Sequence, residues 1–308
     1  MMLVEEAAQL RAGLDAARRD GATIGFVPTM GAFHEGHRSL MRAARAANDI
    51  VVLSIFVNPL QFGANEDLER YPRDLAGDLA VAEQERVDVV FAPTVGEMYP
   101  GGRPATTVHV EGLSAGLCGD VRPGHFDGVA TVVTKLFSLV GPCRAYFGRK
   151  DAQQLAVVRR LVTDLSMPVE VIGCPLVREA DGLALSSRNR NLSPVEREAA
   201  TVISRGLRCG ADVVTGGERD ARRLRRVVAN VLTTEPLVRL EYAEVVSAAE
   251  LTPVEELQGE VLMAVAARVG DVRLIDNMTI QVDGDAVAVD LGVTSNPVGE
   301  GEAACAAR

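Results

Sequence analysis

The chain has 308 residues, of which 47% are hydrophobic and 24% charged, and its net charge is −10. The length predicts two domains. The composition excludes a disordered chain, and the acidic balance argues against a protein held on nucleic acid or an anionic membrane by charge. No apolar run approaches the roughly 20 residues of a membrane span. Met1 to Asp20 is charged and amphipathic, unlike a signal peptide. Cys118, Cys143, Cys174, Cys209 and Cys305 lie far apart, which suits free thiols, so the expectation is a soluble cytoplasmic protein.

In chain order, helical periodicity runs from Val4 to Arg19 and stops at Asp20-Gly21. Ile24 to Val27 is a short apolar run closed by Pro28, the pattern of a buried strand. Thr29 to Gly36 reads as a loop and Arg38 to Asn48 as a helix. Ile50 to Val57 is a near-continuous β-branched run, as in a parallel strand covered on both faces, and Asn58-Pro59 ends it. A helix over Asp74 to Arg86 and a strand over Val87 to Phe91 follow. Beyond a Gly/Pro-rich stretch come a helix from Gly128 to Leu139, a strand at Ala145 to Phe147, a helix from Ala152 to Leu165 and a strand at Val169 to Ile172. This alternation predicts an α/β fold, a doubly wound parallel sheet with helices on both faces.

The pattern changes near Gly173-Cys174-Pro175. A polar loop, helices over Pro194 to Asp212 and Ala221 to Thr233, and strand-like runs at Leu240 to Val246, Val261 to Val269 and Val272 to Ile275 predict a smaller α+β domain. The domains are accordingly placed at 1–176 and 177–285, and the tail at 286–308, frayed from Gly299, is assigned no role.

Four segments carry candidate chemistry. Pro28 to His37 follows the first buried strand and opens a helix, and backbone N–H groups at a helix start form an anion site. Its Gly31 and Gly36 let a ligand approach the backbone, while His34 and His37 can face one ligand and donate to phosphate oxygens. A metal site is the lesser reading, since no cysteine or third histidine lies nearby in sequence. Phe147 to Gln154 again joins a strand to a helix. There Gly148 permits close approach, Asp151 can cap the helix, and Gln154 offers an amide one turn on. Lys150 adds a flexible point charge suited to phosphate, in a chain whose only other lysine is Lys135. Leu185 to Arg190 places hydroxyls and guanidinium groups on a polar loop able to close over a triphosphate. Asn58 and Gln61 offer neutral amides to a polar small molecule, or serve an ordinary turn.

Together these segments resemble the pantoate–β-alanine ligases, a family within the His-x-Gly-His nucleotidyltransferases. The resemblance runs from about Gly25 to Asn277. It rests on Pro-Thr-Met-Gly with His-Glu-Gly-His, Phe-Val-Asn-Pro-x-Gln-Phe-Gly, Arg-Pro-Gly-His-Phe at 122–126 and Phe-Gly-x-Lys-Asp-x-Gln-Gln. The segment Val177 to Asn189 and a closing Leu-Ile-Asp-Asn complete it. The resemblance implies a Rossmann-like first domain that binds ATP and pantoate, and a second domain that acts as a lid. It implies condensation of (R)-pantoate with β-alanine, driven by ATP with Mg²⁺ through a pantoyl adenylate, in a homodimer. Residue by residue, it implies ATP binding by Met30, Gly31, Ala32, Phe33, His34, Glu35, Gly36 and His37. Gly148, Arg149, Lys150 and Asp151 join them, with Val177, Leu185, Ser186, Ser187 and Arg188. Gln61 and Gln154 are implied at pantoate, with Gln61 also at β-alanine, and His37 as proton donor. His34, Lys150 and Arg188 are suitable donors to developing phosphoryl charge.

Three positions depart from the family pattern, which has Glu at Arg149, often an aromatic at Ala152, and Met at Leu185. The rival readings are another nucleotidyltransferase of the same class and a nucleotide-binding paralogue without turnover.

Overall fold

The computed structural model describes residues 1–63, 66 and 68–295, so the end from Gly299 lies outside them. Six parallel strands form the first sheet: β1 (Met2–Val4), β2 (Ile24–Thr29), β3 (Ile50–Ile55), β4 (Val89–Phe91), β5 (Cys143–Gly148) and β6 (Val169–Cys174). Their spatial order is β1-β4-β3-β2-β5-β6. The connecting helices are α1 (Ala7–Arg19), α2 (Glu35–Ala47), α3 (Leu75–Gln84), the short α4 (Val95–Met98) and α5 (Cys118–Val121), α6 (His125–Val140) and α7 (Ala152–Asp164).

Strand residues alternate between two faces. Phe26, Val52, Ala145 and Phe147 pack with Leu10 and Leu14 of α1, Val129 and Leu136 of α6, and Leu161 of α7. Val27, Val51, Leu53 and Tyr146 pack on the other side with Leu40, Met41 and Ala44 of α2 and Ala82 of α3. Helices therefore cover both faces. The chain proceeds from β2 through β3 to β4 in one direction and from β5 to β6 in the other. The order reverses between β2 and β5, and such a switch point opens a crevice at the carboxyl ends of the strands.

The second domain holds β7 (Val177–Arg178), α8 (Pro194–Ala200), α9 (Val202–Thr215) and α10 (Ala221–Leu232). An antiparallel sheet follows: β8 (Val238–Ser247), β9 (Gly259–Val269), β10 (Val272–Asp283) and β11 (Ala286–Asp290), in the order β11-β10-β9-β8. Ile203, Leu207, Leu224 and Val228 of the helices bury against Val245, Met263, Val265 and Ile280 of the sheet. Finally β12 (Val293–Thr294) returns to pair in parallel with β7.

Four features differ from the sequence reading. Met2 to Val4 pair with β4 instead of beginning the first helix, because Val4 buries completely at the sheet edge. The helix expected over Pro194 to Asp212 is interrupted at Thr201, whose hydroxyl donates to the Glu198 carbonyl at 2.7 Å and competes with the helical ladder. β10 extends well past Ile275, because the buried Asp276 and Asn277 that break its apolar pattern are bonded inside the protein. The boundary drawn at 285 falls inside a hairpin: Ala286 to Asp290 pair with Thr279 to Asp283.

Candidate active site

The loop leaving β2 is pinned from within its own domain. Gly31 has φ +84°, and a Cβ there would lie 2.6 Å from Asp78 Oδ2, so close approach requires glycine. Asp78, buried on α3, accepts the Ala32 N–H at 2.8 Å and the Phe33 N–H at 2.9 Å. Burial pushes its carboxyl pKa up, and the two amides oppose that. The sequence predicts these amides in an anion cradle; they are committed to Asp78 instead. Gly31, Ala32 and Phe33 line neither cavity described below.

His34 and His37 open α2 side by side, with ring centroids 4.1 Å apart. The His34 backbone N–H donates to His37 Nδ1 at 3.4 Å, which leaves the His37 proton on Nε2. Among the described residues, His34 Nδ1 is buried without a partner. Burial is the chief cause that lowers the His34 pKa to about 2 and that of His37 to about 4, with Lys150 and Arg190 adding repulsion to both. Both imidazoles are therefore neutral donors at pH 7. Glu35 turns away from the cleft and pairs with Arg42.

Asn58 donates to Gln61 Oε1 (3.2 Å) and Gly128 O (3.1 Å), and accepts from Leu60 N–H (3.2 Å) and the Tyr99 hydroxyl (2.9 Å). Its amide is engaged in four bonds within the fold, and the residue still lines the cleft beside Gln61. A Cβ on Gly128 would lie 2.3 Å from Leu60 O, so only glycine lets α6 press this close. The Gln61 carbonyl accepts from His125 Nδ1 at 2.8 Å. Burial first, and then Arg122, lower the His125 pKa to about 4. The Arg122–Glu66 ion pair at 2.6 Å braces the same corner.

The junction after β5 carries the charge. Among the described residues, a Cβ at Gly148 would meet no atom within 4 Å, so these residues leave the space above it open. Lys150 Nζ lies 3.9 Å from Asp151 Oδ2, and both residues face the cleft. Arg149 turns away and pairs with Asp290 of β11 at 3.0 Å. Gln153 is buried and holds the carbonyls of Leu113, Ala115 and Gly116, whereas Gln154 faces the cleft with no side-chain bond among the described residues. Lys135 is structural: its ammonium donates to Met98 O and lies over the Tyr99 ring.

The second domain closes the site from above. Ser187 Oγ donates to Ala32 O at 3.1 Å, and Arg190 donates to Phe33 O at 3.0 Å. The Leu185 N–H donates to Val177 O at 2.9 Å, and Ser186 Oγ accepts the Arg188 N–H at 3.3 Å. Met30, His34, Gly36, His37, Gln61 and Gln154 thus line one chamber of about 230 Å³ with Gly148, Lys150, Asp151, Val177 and Leu185 to Arg188. Lys150, Asp151, Gln154, Ser186 and Arg188 also face a larger chamber of about 780 Å³. Among the described residues no three His, Cys, Asp or Glu side chains gather to hold a metal ion.

Sequence reasoning missed Asp78 and Tyr99. Only Asp78 left a signal, an acidic residue four positions before the buried Ala82 on one face of α3.

A switch-point cleft lined by a neutral histidine pair, a lysine and two glutamines defines a nucleotide-using α/β enzyme of the His-x-Gly-His class. The family model of pantoate–β-alanine ligase matches residues 2–279. A pantothenate synthetase from Heliobacterium modesticaldum is 57% identical over 92% of this chain and 100% of its own length. The crystal structure of a pantothenate synthetase from Thermus thermophilus superposes with a TM-score of 0.86 at 50% identity, covering 90% of this chain and 98% of the other. A pantoate–β-alanine ligase from Francisella tularensis, complexed with beta-gamma ATP and beta-alanine, matches with a TM-score of 0.73 at 34% identity, over 90% and 97% of the two chains. The chain belongs to the pantoate–β-alanine ligase family.

Proposed function

We propose that the cleft joins (R)-pantoate to β-alanine in two steps at the expense of ATP. A pantoate carboxylate oxygen attacks the α-phosphorus, the bond to the β-phosphate breaks, and pyrophosphate leaves. The β-alanine amine then attacks the acyl carbon of pantoyl adenylate, loses a proton and expels AMP. No protein nucleophile takes part. The protein contributes positioning and donors aimed at developing phosphoryl charge.

His37 and His34 serve as neutral hydrogen-bond donors to phosphate oxygens, and Lys150 and Arg188 as cationic ones. Gln61 and Gln154 hold pantoate, and Gln61 also receives β-alanine. The open space over Gly148 suits the nucleotide, with Met30, Gly36, Asp151, Val177, Leu185, Ser186 and Ser187 around it. Magnesium enters as the counter-ion of ATP, because a hard cation that keeps its waters binds phosphates and needs no protein cage. The active form is a homodimer in the cytoplasm, as the family resemblance implies; sedimentation at micromolar concentration checks the assembly.

One observation carries this reading: the two strand-to-helix junctions at the switch point bring His34, His37, Lys150 and Asp151 to one chamber, shared with the two glutamines. The test is pyrophosphate release from ATP in the absence of β-alanine. Release should require (R)-pantoate, stop near one equivalent per site, and resume when β-alanine is added. A covalent acyl- or phospho-enzyme in the mass spectrum overturns it.

A further inference from the structure

The Leu274-Ile275-Asp276-Asn277 segment lies on β10 in the second domain, and the proposed chemistry leaves it without a role. Its two polar residues are almost fully buried, Asp276 at 3% and Asn277 at 6% exposure. Asn277 Nδ2 donates to two successive carbonyls of the other domain, Arg149 O at 3.0 Å and Lys150 O at 2.9 Å. Behind it, Asp276 accepts the Asn277 N–H at 2.7 Å and both terminal nitrogens of Arg178, at 2.7 and 2.9 Å. Arg178 also donates to Asn277 O at 3.3 Å. Asn277 is therefore fixed at its N–H and its C=O before its side chain crosses to the first domain.

The crossing has a specific geometric effect. Arg149 to Asp151 form a single 3₁₀ turn between β5 and α7, an element with poorer hydrogen-bond geometry than an α-helix. Among the described residues, the Lys150 ammonium has only the loose 3.9 Å approach to Asp151 to hold it. Holding two adjacent carbonyls fixes the orientation of the peptide planes on either side of Lys150, and so the direction of its Cα–Cβ bond. Arg178 and Asp276 lock the donor, and the donor locks the turn.

We propose that Asn277 is a positioning residue for Lys150, through which the second domain sets the aim of the lysine at the ATP phosphates. This rests on the role given to Lys150 above. Adjacent carbonyls need a group with two N–H donors on one atom, which the carboxamide supplies and a carboxylate of equal size does not.

A double-mutant cycle on the full chain tests it, read as the single-turnover rate of pantoate-dependent pyrophosphate release with ATP saturating. A 1 Å misplacement of a reacting group can cost about 10²-fold. Asn277→Ala should therefore slow release by about tenfold or more in the wild-type background, and by less than about twofold in the Lys150→Ala background. A structural role alone would slow both backgrounds equally, and that additive result overturns the proposal. So does an Asn277→Ala rate within twofold of wild type. Should Asn277→Ala fail to fold, Asn277→Asp preserves the volume, removes both donors and is read through the same cycle. If Lys150→Ala alone leaves the rate unchanged, the role of the lysine fails, whatever Asn277 does.

Discussion

The two junctions that flank the switch point are built in opposite ways. The turn after β2 is held by Asp78 from α3, inside its own domain, and presents two histidines that burial keeps neutral. The turn after β5 is held by Asn277 from the other domain and presents a lysine. Neutral donors can be fixed in a desolvated frame at little cost, whereas desolvating an ammonium is expensive. The β2 turn has its amides held from inside its own domain and its Ala32 and Phe33 carbonyls held by Ser187 and Arg190. The two carbonyls flanking Lys150 are instead held by Asn277 of the second domain.

The largest expected effect breaks either half directly. His37→Ala or Lys150→Ala should slow adenylate formation by about 10²–10³-fold, the usual loss for one preorganised donor. Rapid-quench pyrophosphate assays check this, and a near-normal rate in either variant removes that residue from the chemistry.

Next comes the internal brace. Asp78→Ala leaves two buried N–H groups without an acceptor, at about 1–3 kcal/mol each. The urea midpoint should fall markedly, and Asp78→Asn, which keeps one acceptor, should fall less. Equal midpoints for both variants would show that the carboxylate does not hold the turn.

The neutral histidines make a pH prediction. An unfolded imidazole protonates near pH 6.5, whereas His37 and His125 in the fold protonate only near pH 4, and His34 near 2. The unfolded chain binds more protons below about 6.5, so stability falls as pH drops through that window. Denaturant midpoints from pH 7 to 4.5 should decline, with a shallower slope for His34→Asn. A midpoint independent of pH over this range contradicts neutral burial.

The smallest effect concerns Arg149. Its pairing with Asp290 joins two exposed side chains, and such pairs are worth about 0–1 kcal/mol. Arg149→Glu should bind ATP within a few fold of wild type. Tenfold weaker binding by calorimetry would mean that the guanidinium reaches phosphate.

Strands β2 to β6, and the motif residues at the ends of β2, β3 and β5, are legible in the sequence because they rest on short-range signals, whereas the edge strand β1 is not. Continuous apolar runs closed by Pro or Gly mark β2 and β3, and the motif residues sit at the strand ends. What escapes depends on distant partners. Asp78 gains its meaning only from amides 45 and 46 residues away. The sequence places Asn58 at the cleft but gives no sign of the four bonds that also make it a brace. The apolar pattern ends β10 early because a buried Asp-Asn pair reads as a turn unless Arg178 is known to lie against it.

The pairing of β12 with β7 also bears on the order in which the protein is made. Val177, on the rim of the cleft, lies beside Val293, and the whole second domain separates them in the chain. Domains fold largely as units as they leave the ribosome, N-terminal first, and contacts between distant residues form late. The first sheet can assemble early on the ribosome, whereas the strand at the rim of its cleft waits for a partner translated more than a domain later. A nascent chain stalled before β12 should hold a folded first domain with an unfinished mouth, so nucleotide capture would mark the end of synthesis, not its middle.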